Sequence, residues 1–342
     1  METQSTRRKW LLVGIASGLL ALLLVVGGWL WWQFQPAGRG SLRLVRITPG
    51  MNARQIGQKL QAQGIVRSAR AFEWVVRLKG WGGRLKPGTY ELRPSMSPLH
   101  IARLIAEGRV ATSWVTIPEG YTVRQIAQLL QEREIADAKE FLRLATQEGD
   151  TFTASFPLPK NLEGYLFPNT YRLPRGTGAR TAIQSMLSLL DREVYQRYRS
   201  EIERSGFTFH QILTIASLIE REAKVPEDRP LISAVIRNRL RRGMKLEIDA
   251  TVLYALGRHK SRVLYRDLEV DSDYNTYRRK GLPPGPIANP GRACVEAALR
   301  PAQVDYLYYV ARPDGSHIFT RSLQEHHIAI ARARAERARA TP

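Results

Sequence analysis

Cysteine is almost absent from this chain. Cys294 is the sole one in 342 residues, so no intrachain disulfide can form and a multi-cysteine zinc site is excluded. Other signatures are missing as well. There is no Gly-x-x-x-x-Gly-Lys-Ser/Thr phosphate loop and no His-Glu-x-x-His zinc motif, and His326-His327 is an adjacent pair without that spacing. Ser217 lies in no Gly-x-Ser-x-Gly elbow, which argues against a serine hydrolase. Nothing in the sequence calls for a metal or a cofactor. Acidic residues are scarce: 52 Lys and Arg against 31 Asp and Glu leave a net charge of +21. Such a charge attracts polyanions, whether nucleic acid, anionic lipid or an acidic polymer. Apolar content is ordinary, at 44% of residues, and the length suits one large domain or two medium ones.

What is present begins with Trp10–Phe34, a nearly unbroken apolar run whose polar members are Ser17 and Gln33. It exceeds the ~20 residues a helix needs to cross a bilayer. Arg7, Arg8 and Lys9 precede it, which by the positive-inside bias keeps the N-terminus in the cytoplasm, and Trp29, Trp31 and Trp32 lie where an aromatic belt belongs. The run is too long for a signal-peptide core, and no small-x-small cleavage site follows. The expected layout is a cytoplasmic tail at 1–9, a single transmembrane helix at 10–34, and an extracytoplasmic remainder held at a bacterial plasma (inner) membrane. Nucleic acid is then no partner. Lipid headgroups and a carboxylate-bearing cell wall are.

Residues 35–41 read as a linker of helix breakers. An internal repeat follows. Val45, Ile47, Gly50 and Arg54-Gln55-Ile56 align with Val115, Ile117, Gly120 and Arg124-Gln125-Ile126. Each copy reads as a strand, a glycine turn, an N-cap at Asn52 or Thr122, and an amphipathic helix. Between the copies the pattern predicts helices at 71–78 and 99–107 and a strand at 89–92. Strand, helix, helix, strand is the order of a small LysM-like unit, a class that binds N-acetylated glycans, and residues 42–111 are assigned to it. The same order serves equally as a packing unit or spacer. Residues 112–342 form the second domain, with helices expected at 138–146, 179–200, 209–223 and 229–241, and a hairpin of strands 306–311 and 317–320. The fold class is α+β.

Glu220 closes an otherwise apolar helical stretch, Gln211–Ala223, that also carries Glu222. Burial disfavours the charged form of a carboxylate, and a carboxylic acid kept protonated near neutral pH can serve as a general acid. Residues two apart on a helix do not face each other, so the two are not a close pair, and spacing does not choose between them. A single Glu ending an apolar helix is most often a solvated edge residue. Two further stretches favour chemistry. Asp271–Tyr277 alternates aromatic rings with amide and hydroxyl groups, which suits a sugar. Gly281–Gly291 holds too many prolines and glycines for a regular element and reads as a stiff, shaped loop lining a cleft.

Together Leu162–Tyr171, Ala216–Glu222, Asn238-Arg239-Leu240, Tyr274–Tyr277 and Gly281–Gly291, with Glu325-His326 more weakly, resemble the endolytic murein transglycosylase family (YceG-like) over nearly the whole chain after the apolar run. The resemblance implies a membrane-anchored lytic transglycosylase that cleaves MurNAc-β-1,4-GlcNAc bonds within peptidoglycan strands. It leaves 1,6-anhydro-MurNAc ends and limits glycan elongation, with peptidoglycan synthases as partners. It implies Glu220 as the catalytic acid. Asn275, Thr276 and Tyr277 are expected to contact the sugar, with Glu163 and Asp249 as supporting groups. The departures are Asn169 where the family has Asp, Glu247-Ile248-Asp249-Ala250-Thr251 in place of Gln-Ser-Asp-Pro-Thr, and Asp273 in place of a proline. The competing reading is a non-catalytic, membrane-tethered scaffold that grips glycan strands.

Overall fold

A computed structural model describes residues 22–110, 112–257 and 264–340. It is α+β, and it divides into two compact units: the described residues up to Ser113 with Pro174–Gly176, and 114–173 with the described residues from Thr177 onward.

The first unit runs β1 (Arg43–Ile47), α1 (Ala53–Ala62), α2 (Ala69–Leu78), β2 (Gly88–Leu92) and α3 (Pro98–Glu107). β1 and β2 pair antiparallel, with Val45 opposite Tyr90. Alternation fixes the register: Val45, Ile47, Tyr90 and Leu92 are buried, while Leu44, Arg46 and Glu91 face out. Asn52 caps α1 in a full capping box with Gln55, and Ser68 and Ser97 cap α2 and α3. Phe72, Ile56, Leu60, Ile101 and Ile105 fill the core, each side chain contributing roughly 1.5–3 kcal/mol by its burial.

A helix at 22–33 leads into this unit. Among the described residues no helix is long and apolar enough to cross a membrane; residues 10–21 of the expected span, and the expected tail at 1–9, lie outside them. The stretch read as a linker is pinned. The Arg67 guanidinium lies 4.3 Å from the centroid of the Trp32 ring. Arg67 Nε donates to the Pro36 carbonyl at 2.8 Å, Gly38 N–H donates to Pro94 at 3.1 Å, and Phe34 packs on the core.

The second unit contains most of β3 (Thr112–Thr116) and of β4 (Thr170–Pro174), with α4 (Val123–Glu132), α5 (Ala138–Gln147), α6 (Ala179–Leu190), α7 (Arg199–Arg204), α8 (Phe209–Glu222), α9 (Arg229–Arg241), α10 (Asp249–Leu256), α11 (Arg292–Leu299), β5 (Tyr308–Ala311), β6 (His317–Thr320) and α12 (Leu323–Ala340). β3 pairs with β4, and β5 with β6. The repeat is therefore longer than the sequence match. Each copy is a β-α-α-β unit, and the second carries an insertion at 148–169 before its last strand. The expected helix at 179–200 is interrupted. After Leu190 the chain widens into a π turn at Asp191–Tyr195, where the Asp191 carboxylate accepts from Ser155 N–H at 2.9 Å and from its hydroxyl at 2.5 Å.

Candidate active site

α8 is the spine of the site. Thr208 and Gln211 cap it reciprocally, and from Ile212 to Ile219 its residues are buried. Its most extensive packing is against α11. Three side chains along α8 fasten the Pro/Gly loop to it. His210 Nε2 bonds the Pro284 carbonyl at 2.8 Å. The Ser217 hydroxyl accepts from Ile287 N–H at 3.0 Å and donates to Thr214. Glu220 Oε2 accepts from Gly291 N–H at 2.9 Å. The loop expected to line a cleft runs the length of the helix and ends at the carboxylate. Gly291 is also the N-cap of α11, a position that favours negative charge.

A second carboxylate converges on the same glycine. A Cβ built on Gly291 would lie 1.9 Å from Glu119 Oε1, so the Glu119 carboxylate rests on the Gly291 backbone and only glycine leaves it room. Gly120, at φ +76°, has its own Cβ direction 3.5 Å from Glu220 Cγ. Burial raises the Glu119 pKa, the neighbouring Glu220 raises it further, and Arg229 opposes the shift. Burial, then Glu220, push the Cys294 thiol up as well; Cys294 is fully buried in α11. Glu220 is thus half-buried and has an acidic companion.

Asn289 is the clasp. Its backbone carbonyl accepts from Gly120 N–H at 2.9 Å, and its N–H donates to Tyr121 at 2.9 Å. Its amide donates to Tyr121 O at 2.9 Å and to Glu163 Oε1 at 3.0 Å, and its Oδ1 accepts from Leu166 N–H at 2.8 Å. Glu163, 5% exposed, also accepts from Val123 N–H at the start of α4 and from the Tyr254 hydroxyl. Burial pushes its pKa up to about 8 against these hydrogen bonds. Glu163 therefore anchors the Glu119 turn from behind.

The other expected site residues fall elsewhere. Tyr277 donates to Asp249 Oδ1 at 2.6 Å. Glu222 accepts from Tyr309 at 3.0 Å, and its pKa is raised to about 7, chiefly by burial, with Asp249 adding to the rise and Tyr309 opposing it. Asp249 and Tyr277 thus gather with Glu222, which spacing left level with Glu220. Asn275 and Thr276 are 0% and 1% exposed. The Asn275 amide donates to the Leu268 and Val270 carbonyls, and the Thr276 hydroxyl meets Thr251 and Ile248 N–H. In this structure both hold a loop together, and their bonding capacity is spent on backbone and neighbours. Asn169 is exposed and caps its own strand start at Thr170. Among the described residues no group of three or more His, Cys, Asp or Glu could hold a metal ion.

Sequence reasoning missed Glu119, Asn289 and Gly291 as parts of one site. A signal for the first was present. The two repeat copies agree at the turn glycine but differ just before it, with Pro49 in one and Glu119 in the other.

Fold and site define an α+β protein with a paired-carboxylate centre at the end of a buried helix. The chain belongs to the YceG-like family, whose model matches residues 45–332. It is 36% identical over 328 residues to a Bacillus subtilis (strain 168) protein named endolytic murein transglycosylase, covering 90% of each chain. A protein of the same name from Streptococcus pneumoniae (strain D39) is 33% identical over 343 residues; the match covers 89% of this chain and 62% of the pneumococcal one. The crystal structure of a YceG-like protein from Listeria monocytogenes superposes with a TM-score of 0.58 at 36% identity, covering 85% of this chain and 99% of that one.

Proposed function

We propose that this chain is a peptidoglycan lytic transglycosylase that cleaves the β-1,4 bond between N-acetylmuramic acid and N-acetylglucosamine inside glycan strands. One observation carries the assignment to Glu220: in the last turn of a largely buried helix, its carboxylate is oriented by Gly291 N–H at 2.9 Å, in a chain of a family whose relatives bear that activity in their names.

Protonated Glu220 gives its proton to the glycosidic oxygen as the C1–O bond breaks. The muramyl C6 hydroxyl then attacks C1 and returns its proton to the Glu220 carboxylate, closing a 1,6-anhydro ring. Water is not consumed, which separates this route from two-carboxylate glycoside hydrolysis. Cleavage of this kind would limit strand length beside the synthases that extend it.

The apolar run from Trp10 and the charges before it support a single-pass anchor, with the rest of the chain outside the cytoplasm. A reporter fused after Pro342 and active only in the cytoplasm would overturn that topology. The first unit is read as LysM-like. It bears a groove of ≈ 650 Å³ lined by Arg54, Gln58, Gln61, Arg70, Trp74 and Arg77, with Glu73 paired to Arg54 at 3.3 Å, and Trp74 is 55% exposed. A stacking ring among amides and guanidinia suits a carboxylate-bearing glycan.

One experiment tests both parts: the Glu220→Gln protein incubated with purified sacculi. It should still sediment with them while releasing 1,6-anhydro products at least ~100-fold more slowly, the range for loss of a general acid. Release at the wild-type rate would reject Glu220 as the acid. Failure to sediment would reject the glycan grip.

A further inference from the structure

We propose that the first unit rests on anionic phospholipid headgroups through four guanidinium groups, Arg39, Arg43, Arg67 and Arg93, gathered where the apolar helix enters it. This rests on the reading of Trp10–Phe34 as a membrane anchor, and it adds a polar contact with the same bilayer that an anchor does not itself require.

The helix sets the level. Over residues 22–33 it exposes Leu22, Leu23, Leu24, Val25 and Val26, then Trp29, Trp31 and Trp32. Aliphatic side chains followed by indoles is the order of a hydrocarbon core followed by its headgroup layer. The Arg67 guanidinium, 4.3 Å from the centroid of the Trp32 ring, therefore lies at the depth of the phosphates. Its Nε is spent on the Pro36 carbonyl at 2.8 Å.

The fold brings the other three alongside. Gly38 N–H donates to the Pro94 carbonyl at 3.1 Å, and a Cβ built on Gly40 would lie 2.9 Å from Pro94 Cγ. Arg39, between these two glycines, thus runs beside Arg93, the residue before Pro94. β1 pairs Arg43 with Leu92, the neighbour of Arg93 on the other side. The Arg43 guanidinium reaches the carbonyl of Gln63, one helical turn before Arg67 in sequence. Arg39, Arg43 and Arg93 are exposed.

Charge chooses the sign of the partner, and depth chooses its kind. The acceptors on Pro36 and Gln63 are carbonyls, which leave a positive charge uncompensated. Among the described residues no ion pair engages any of the four. Residues 34–46, 63–70 and 92–98 hold no Asp or Glu. Glu91, which faces out opposite Leu44, is the acidic residue beside them, and one carboxylate does not neutralise four guanidinia. A guanidinium fork matches phosphate oxygens two at a time, and headgroup phosphates are the anions at the level of an indole belt.

The test is amide hydrogen exchange in residues 38–43 and 92–96 of the full-length protein, held in nanodiscs of phosphatidylcholine alone or mixed with phosphatidylglycerol. Exchange should slow at least about fivefold in the anionic discs, the effect of one basic side chain at a charged bilayer surface, and high salt should remove the difference. Combining Arg39→Gln, Arg43→Gln and Arg93→Gln should bring the ratio close to one. Lys at the same three positions keeps the charge and should preserve most of it. Equal exchange of the wild type in the two kinds of disc overturns the proposal, as does a difference that survives in the Gln protein. Protection that appears in neutral discs only when peptidoglycan fragments are added overturns it too, in favour of a wall-facing surface. Alkaline carbonate separates this reading from the one beneath it. If it strips the protein from vesicles, the anchor reading fails and this one with it. If the protein stays in the bilayer and exchange ignores lipid charge, only the headgroup contact falls.

Discussion

The two copies of the β-α-α-β unit share their local construction and differ in what their turns touch. α1 and α4 each open with a complete capping box, Asn52 with Gln55 and Thr122 with Gln125. Each closes through the same bonds: Ile65 N–H to Leu60 in one, Ile135 N–H to Leu130 in the other. Gln61 and Gln131 each bridge to the N–H at the start of the next helix. Both turns place a glycine in the left-handed region, Gly50 at φ +85° and Gly120 at φ +76°. Yet nothing lies within 4 Å of a Cβ at Gly50, whereas Gly120 faces Glu220. One copy carries Pro49 in solvent in the turn after its strand. The other sets Glu119 against Gly291, whose N–H Glu220 accepts. On the same backbone scaffold, the turn of the second copy meets Gly291 and Glu220, and the turn of the first meets neither.

That contrast can be broken most forcefully at Glu163, the buried carboxylate behind the second copy's helix; no acidic residue opens α1 or α4. Its pKa rises from the ordinary 4.5 to about 8 on folding. The folded state therefore binds the proton more tightly than the unfolded chain. Its contribution to stability is present in full below about 4.5 and declines as pH climbs to about 8, by up to ~1.4 kcal/mol per pH unit. Urea denaturation of wild type and Glu163→Gln across this window should give a stability difference that shifts in favour of the variant as pH rises. A difference independent of pH would reject the buried-acid account.

Gly291→Ala comes next. Its φ of −73° suits any residue, so the added methyl meets no backbone strain, and what it must displace is the Glu119 carboxylate. Product release should fall roughly 10- to 100-fold, the scale of misplacing a group at a reaction centre, while the melting temperature moves little. Loss of stability with activity per folded molecule intact would be the contrary result.

The smallest effect is the sharpest comparison. Gly50→Ala and Gly120→Ala each force a side chain into the left-handed region, at roughly 1–2 kcal/mol. Stability should drop by similar amounts in the two proteins. Only Gly120→Ala should also slow catalysis beyond what unfolding explains, because its methyl lands against Glu220. Equal activity in the two variants would erase the distinction drawn between the copies.

Much of this was legible locally. The caps at Asn52 and Thr122, the helix carrying Glu220 and the alternating strands follow from residues that are neighbours in sequence. The π turn after Leu190 was not, because it answers to Ser155, a partner far back in the chain. Asn275 and Thr276 show a subtler ambiguity. The amides and hydroxyls that would grip a sugar are the same groups that tie off carbonyls in a tight loop, and residue type alone does not separate the two uses. α10 was missed because Asp249 opens it without a side-chain cap. Glu119 was overlooked because its meaning lies in Gly291, and no periodicity connects a turn to a distant loop.

The joint at residues 34–38 bears on how far the first unit can roam. With Arg67 stacked on Trp32 and bonded to Pro36, and Gly38 tied to Pro94, the short segment behaves as a bracket and not as a leash. A leash lets a domain sample a sphere of directions. A bracket transmits orientation, so any surface that grips the apolar helix also sets which way the Trp74 groove looks and what it can meet.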